Sequence, residues 1–199
     1  MNRSSKKSFN PLTLLSAMII LLAFAACKED NPSNPGGGNE QELITKVILT
    51  LTETGASNVV TATFNDPDGD GGIAATITPM SLKAGSAYTG KIELKDESKN
   101  PVVDIAAEVK GEAEAHQFFY TAQGALAGRV TVTITDKDSN NLPVGLEFTV
   151  DVNAGVAVTG SATNSLNTAL SHFDTTPKNG ASRSSETDVE INFPVNITN

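Results

Sequence analysis

Asp188-Val189-Glu190-Ile191-Asn192-Phe193-Pro194-Val195-Asn196-Ile197 is the stretch that decides the fold. Apolar side chains fall on every odd position from 189 to 197, while Asp188, Glu190, Asn192 and Asn196 take even ones. Successive side chains of an extended chain point to opposite faces, so this spacing makes a strand with one face in a core and one in water. The same rhythm recurs towards the N-terminus. Leu146, Phe148, Val150 and Val152 alternate with Glu147, Thr149 and Asp151, and Val130, Val132 and Ile134 with Arg129, Thr131, Thr133 and Thr135. Tyr88, Ile92 and Leu94 share one face opposite Lys91, Glu93 and Lys95. Val60, Ala62 and Phe64 alternate with Thr61 and Thr63, and Val47, Leu49 and Leu51 with Lys46, Thr50 and Thr52. Clusters of Gly, Asn, Asp and Pro at 65–72, 96–101, 136–143 and 174–185 separate the runs. Many short strands divided by turn signals predict an all-β fold, an antiparallel immunoglobulin-like β-sandwich.

Two stretches depart from period two. Asp104 to Ala115 is rich in Ala and Glu, with Ile105 and Val109 four apart, which predicts one short surface helix closed near Gly111. Leu166, Thr168 and Leu170 fit a strand, whereas Leu166, Ala169, Leu170 and Phe173 also suit a helix. Neighbouring strands on both sides favour the strand.

The N-terminus reads as an address. Arg3, Lys6 and Lys7 occur among the first ten residues with no acid, followed by 15 apolar or small residues, Leu12 to Ala26, broken only by Thr13 and Ser16. A membrane-spanning helix needs roughly 20 residues, so a cleaved signal peptide over 1–26 fits better than an anchor. Cys27 is the sole cysteine. A lone thiol in an exported chain asks for a reason, and its position supplies one. Phe24-Ala25-Ala26-Cys27 resembles the lipobox of bacterial lipoproteins, whose cysteine is acylated before cleavage; Phe24 stands where leucine is usual. Lys28-Glu29-Asp30 resembles the charged signal that sends lipoproteins of the Bacteroidota across the outer membrane to the cell surface. Residues 27–41, with Pro32, Pro35 and Gly36 to Gly38, form a flexible tether with no apolar side chain to bury. Residues 42–199 remain for one domain.

Removing residues 1–26 takes away three basic residues and no acids, which moves the net charge from −9 to −12. An acidic surface opposes nucleic acid and anionic lipid head groups, and suits cations or basic partners. With no tryptophan and two tyrosines, the chain is poor in the aromatic platforms common on carbohydrate-binding surfaces.

Two constellations could hold ions. In Asp66-Pro67-Asp68-Gly69-Asp70-Gly71 the carboxylates of Asp66, Asp68 and Asp70 alternate before a glycine, a rhythm that can wrap calcium. The twelfth position, where an EF-hand places its closing acid, is Ile77. Asp136 to Asn141 repeats the rhythm with Lys137 inside it. Asp, Asn and Gly also make good turns with no ion, and that is the simpler account of both loops. The second constellation joins the only histidines, His116 and His172, each with nearby acids: Glu112 and Glu114, and Asp174. Brought together, two imidazoles and a carboxylate would hold zinc or another transition metal. A separation of 56 residues gives no reason for them to meet, so two separate structural histidines is the simpler expectation. For catalysis there is no Ser-centred elbow, no HExxH and no phosphate-binding glycine loop. Pairs such as Asp104 with Glu108 look like a solvated helix face rather than a hydrolase dyad.

Several segments are similar to a family of short Bacteroidota lipoproteins usually labelled "type 1 periplasmic binding fold superfamily protein". They are Gln41 to Thr45, 66–71, Glu93 to Ser98, EAEAHQFFY at 112–120, PVGLEF at 143–148 and ETDVEINFPV at 186–195, and together they span nearly all of the mature chain. The α/β receptor fold in that label needs repeated βα units and a longer chain, so the all-β alternation sets it aside. The resemblance implies location at the outer-membrane surface and association with a TonB-dependent receptor, and no activity. It makes His116, inside HQFFY, the first residue to test. The function expected from sequence is that of a non-enzymatic lipid-anchored module that binds a ligand or metal, or docks on a transporter. A structural or adhesive module is the alternative, and a hydrolase using a carboxylate of 104–114 a weaker one.

Overall fold

The computed structural model describes residues 42–69 and 71–199. The expected signal peptide 1–26, Cys27 and the expected tether to residue 41 lie outside the described residues. Among the described residues no helix is long and apolar enough to cross a membrane.

Among the described residues eleven strands form two sheets. They are β1 (Lys46–Glu53), β2 (Val59–Asn65), β3 (Thr76–Ile77), β4 (Met80–Lys83), β5 (Ala87–Asp96), β6 (Val103–Asp104), β7 (His116–Ala122), β8 (Val130–Ile134), β9 (Glu147–Val152), β10 (Ser165–His172) and β11 (Glu186–Thr198). The first sheet runs β3-β2-β1-β5-β9-β8 with β6 paired to β5, and the second runs β4-β11-β10-β7. Pairing is antiparallel throughout, as expected, except that β4 lies parallel to the end of β11, with Met80 against Val195 and Leu82 against Ile197. Inward-facing side chains of both sheets make one core, with Leu49, Tyr88, Leu94, Phe118, Phe148, Leu170 and Phe193 almost fully buried. The expected β-sandwich with one short helix is what forms.

The helix α1 (Ile105–Gly111) starts where a carboxylate can satisfy its open amides. Asp104 Oδ1 accepts a hydrogen bond from the Ala107 amide at 3.3 Å, and Ile105 and Val109 turn inwards. Glu112 caps the other end, its amide donating to the Glu108 carbonyl at 2.9 Å. Four residues later β7 begins.

β10 explains why its sequence was ambiguous. All eight of its residues are buried, so neither face needs the polar alternation that marks an exposed strand. One face enters the core through Leu166 and Leu170. The other lies under the segment 174–185, where Arg183 Nη2 donates to Asn167 Oδ1 at 2.6 Å and sits 5.9 Å from the Phe119 ring. Read from sequence as a turn, 174–185 also serves as a cover. Lys178 pins it down: its ammonium donates to the carbonyls of Ala113 at 2.6 Å and His116 at 3.0 Å, and lies 2.7 Å from Asp138 Oδ2.

Candidate metal centre

β7 opens with His116 and β10 closes with His172. The two strands are antiparallel in a register that sets His116 opposite His172, Phe118 opposite Leu170 and Tyr120 opposite Thr168. Residues directly opposite share a face, so both imidazoles follow the core side chains inwards. Their rings stack, with centroids 4.3 Å apart and planes at 27°. The expectation of two separate histidines is therefore corrected. The 55 residues between them are one excursion through the first sheet and back, and strand pairing closes it.

Asp188 arrives by a local irregularity. Leu170 faces Val189, but the next residue, Ser171, faces Thr187, so β11 carries one extra residue at that point. Such a bulge re-aims a side chain that strict alternation would send to solvent. The Asp188 side chain is 2% exposed, with its carboxylate oxygens 3.7 Å from His116 Nε2 and 3.7 Å from His172 Nδ1. Glu42, from the irregular segment before β1, completes the group, its Oε1 lying 3.2 Å from His116 Nε2. Glu42, His116, His172 and Asp188 each present a ligand atom, all within 4.8 Å of one another. It is the one such grouping of three or more among the described residues.

The far side of each imidazole is also engaged. His116 Nδ1 donates to the carbonyl of Glu112 at 3.1 Å, at the capped end of α1, which leaves Nε2 with its lone pair facing the centre. His172 Nε2 lies 2.8 Å from Asp174 Oδ1, which leaves Nδ1 facing the same point. A metal-bound histidine characteristically gives its second nitrogen to a carbonyl or carboxylate in this way. Tetrahedral zinc, with donors about 2.0–2.1 Å from the ion, places them roughly 3.3 Å apart. Three of the donor separations, at 3.2, 3.7 and 3.7 Å, lie close to that, and all fall within 4.8 Å. Asp174→Asn is expected to loosen His172 and lower zinc affinity about 10- to 100-fold, measured by competition with a chromogenic chelator.

The electrostatics carry the cost of two carboxylates facing each other out of water. Burial and the charge of Glu42 push the Asp188 carboxyl up to about 6 against the pull of both histidines. Burial would also raise Glu42, but its contact with His116 outweighs this and lowers it. Burial would lower His116, yet Glu42, the Glu112 carbonyl and Asp188 together raise it. Two carboxylates held together out of water favour added positive charge at this point. Glu42 Oε2 and His116 Nε2 are buried without a well-formed hydrogen bond, and the 3.2 Å approach of the ring is to the other oxygen, Glu42 Oε1. Buried polar atoms of this kind ask for an explanation, and an ion supplies one.

The aspartate loops fare differently. Asp68 Oδ2 accepts from the Ile73 amide at 2.8 Å and so braces its own turn. Asp66 lines a groove that opens beside Glu42 and Asp188. Asp70 lies outside the described residues. In the later loop Asp136 accepts from the amides of Gly145 and Leu146, and Asp138 Oδ1 from those of Asn140 and Leu142. Those carboxylates hold turns. Of the acids weighed for hydrolysis, Asp104 caps α1 and Glu114 bonds Ser139 Oγ.

Comparison with known proteins finds no matching family model, no matching curated protein and no matching solved structure.

Proposed function

We propose that this chain is a lipid-anchored, non-enzymatic protein of the outer-membrane surface whose β-sandwich holds a zinc-class ion between Glu42, His116, His172 and Asp188. The observation that carries the reading is the pair of inward imidazoles, each braced behind by an acceptor and each facing a carboxylate. Calcium takes six to eight oxygens, so a compact set of two nitrogens and two carboxylates favours a transition ion, zinc above all. Cys27, as the acylated residue, would tie the module to the membrane through the tether, facing the cell exterior. A TonB-dependent receptor is the partner that the family resemblance suggests.

Four protein donors fill a tetrahedral shell, which suits retention of the ion rather than turnover. The test is thermal melting of a soluble form beginning at Lys28, with calcium, zinc, copper and iron supplied separately. An ion that binds only the folded state raises the melting temperature with the logarithm of its concentration. Zinc is expected to do so and calcium is not. No shift with any transition ion would remove the metal reading and leave the adhesive one.

A further inference from the structure

We propose that Glu42 is the exchangeable ligand of the centre, the gate through which the ion enters and leaves. The inference rests on the metal reading above and assigns the control of exchange to one residue. The other three donors stand on hydrogen-bonded strands of a single sheet: His116 on β7, His172 on β10 and Asp188 on β11. Their backbones are fixed by the register of that sheet. Glu42 stands on no strand. Just after it the chain is held by Ile44, 8% exposed in the core, and by Thr45, whose amide donates to the Lys95 carbonyl at 3.0 Å and whose Oγ1 accepts from the Glu97 amide at 2.7 Å. Between these points Leu43 is 46% exposed. Turning the backbone ahead of Ile44 swings Glu42 away with Ile44 left in the core and no strand pairing lost.

Access points the same way. The Glu42 side chain is 12% exposed, against 0% for His116, 2% for Asp188 and 9% for His172. The groove lined by Leu43, Phe64, Asp66 and Glu190 opens against Glu42 and Asp188, and its carboxylates draw cations towards that side. With Glu42 displaced, two imidazoles and one carboxylate remain around an ion with one open position, the arrangement zinc adopts where it accepts an outside ligand. A small neutral or anionic donor, such as imidazole or azide, fits that position. The protein thus holds its ion in a closed shell and presents it in a three-ligand one, with Glu42 dividing the two states.

The test compares the wild-type soluble form with E42Q; every strand and helix described lies within residues 42–199. Release of bound zinc to a chromogenic chelator is followed by stopped flow, and the cobalt-loaded forms are titrated with imidazole. E42Q is expected to bind zinc stoichiometrically, to release it at least about tenfold faster, and to change its cobalt spectrum with imidazole while wild type does not. Equal release rates in two forms that both bind zinc would overturn the gate and leave the metal reading intact. An E42Q protein that binds no zinc would make Glu42 indispensable rather than exchangeable, and would also overturn it. A wild-type protein that takes up no zinc removes the metal reading and the gate with it.

Discussion

Replacing both histidines by alanine is expected to erase the zinc-dependent rise in melting temperature. The physical reason is donor chemistry: His116→Ala with His172→Ala leaves two carboxylates, too few donors for calcium and without the nitrogens that select zinc. The size of the lost effect follows from linkage. Zinc at a thousand times its dissociation constant stabilises the folded state by about 4 kcal/mol, roughly 8–16 °C for a chain of this length. The variant is expected to shift by less than about 1 °C at the same concentration, in a calorimetric scan with chelator-treated protein as reference. Its melting point without metal separates folding from binding, because Phe118 and Leu170 still hold β7 to β10. A zinc-induced rise that survives in the double variant would place the ion elsewhere.

Lys178 carries the second large effect. Its ammonium and the Asp138 carboxylate are 2% and 0% exposed, 2.7 Å apart, so removing one leaves the other charged and out of water. Breaking a buried pair from one side costs about 3–5 kcal/mol, whereas removing both charges is often close to neutral. Lys178→Met is therefore expected to lower stability by about 3 kcal/mol in urea titration, and Lys178→Met with Asp138→Asn to recover most of it. Asparagine keeps the oxygen that accepts from Asn140 and Leu142, so the turn survives while the charge goes. The same ammonium holds the backbone carbonyl of His116, so the single variant is also expected to weaken zinc binding. Equal stability of the single and double variants would show that the charge on Asp138 is not what the lysine answers.

Much of the architecture was visible in the chain because one face of each main strand meets water. Val189 to Ile197, Leu146 to Val152 and Val47 to Leu51 alternate for that reason, and each is a strand at those positions. The same logic fails where both faces are covered, as in β10 under the segment 174–185, and where a strand is too short for a period, as in Met80–Lys83. The helix was legible from Ile105 and Val109 together with its capping Asp104. Half of the centre was legible too: His116 and His172 stood out as the only imidazoles, and their acid neighbours as possible company. Their meeting was not, since it depends on which strands pair and in which register. Asp188 was read as outward because β11 alternates, and nothing in its residue types announces the extra one. Glu42 was visible only as part of the family-like segment 41–45 and not as a ligand, since its approach to His116 depends on how the segment before β1 packs.

That extra residue in β11 divides the strand into two lengths with independent phase. Beyond Val189 the side chains keep step with the sandwich interior; just before it Asp188 turns to the two imidazoles. A relative that lacked this single residue would retain Ile191, Phe193 and Val195 in place and forfeit only one donor. One insertion or deletion at this point would thus add or remove a carboxylate beside the imidazoles, while the scaffold beneath stayed the same.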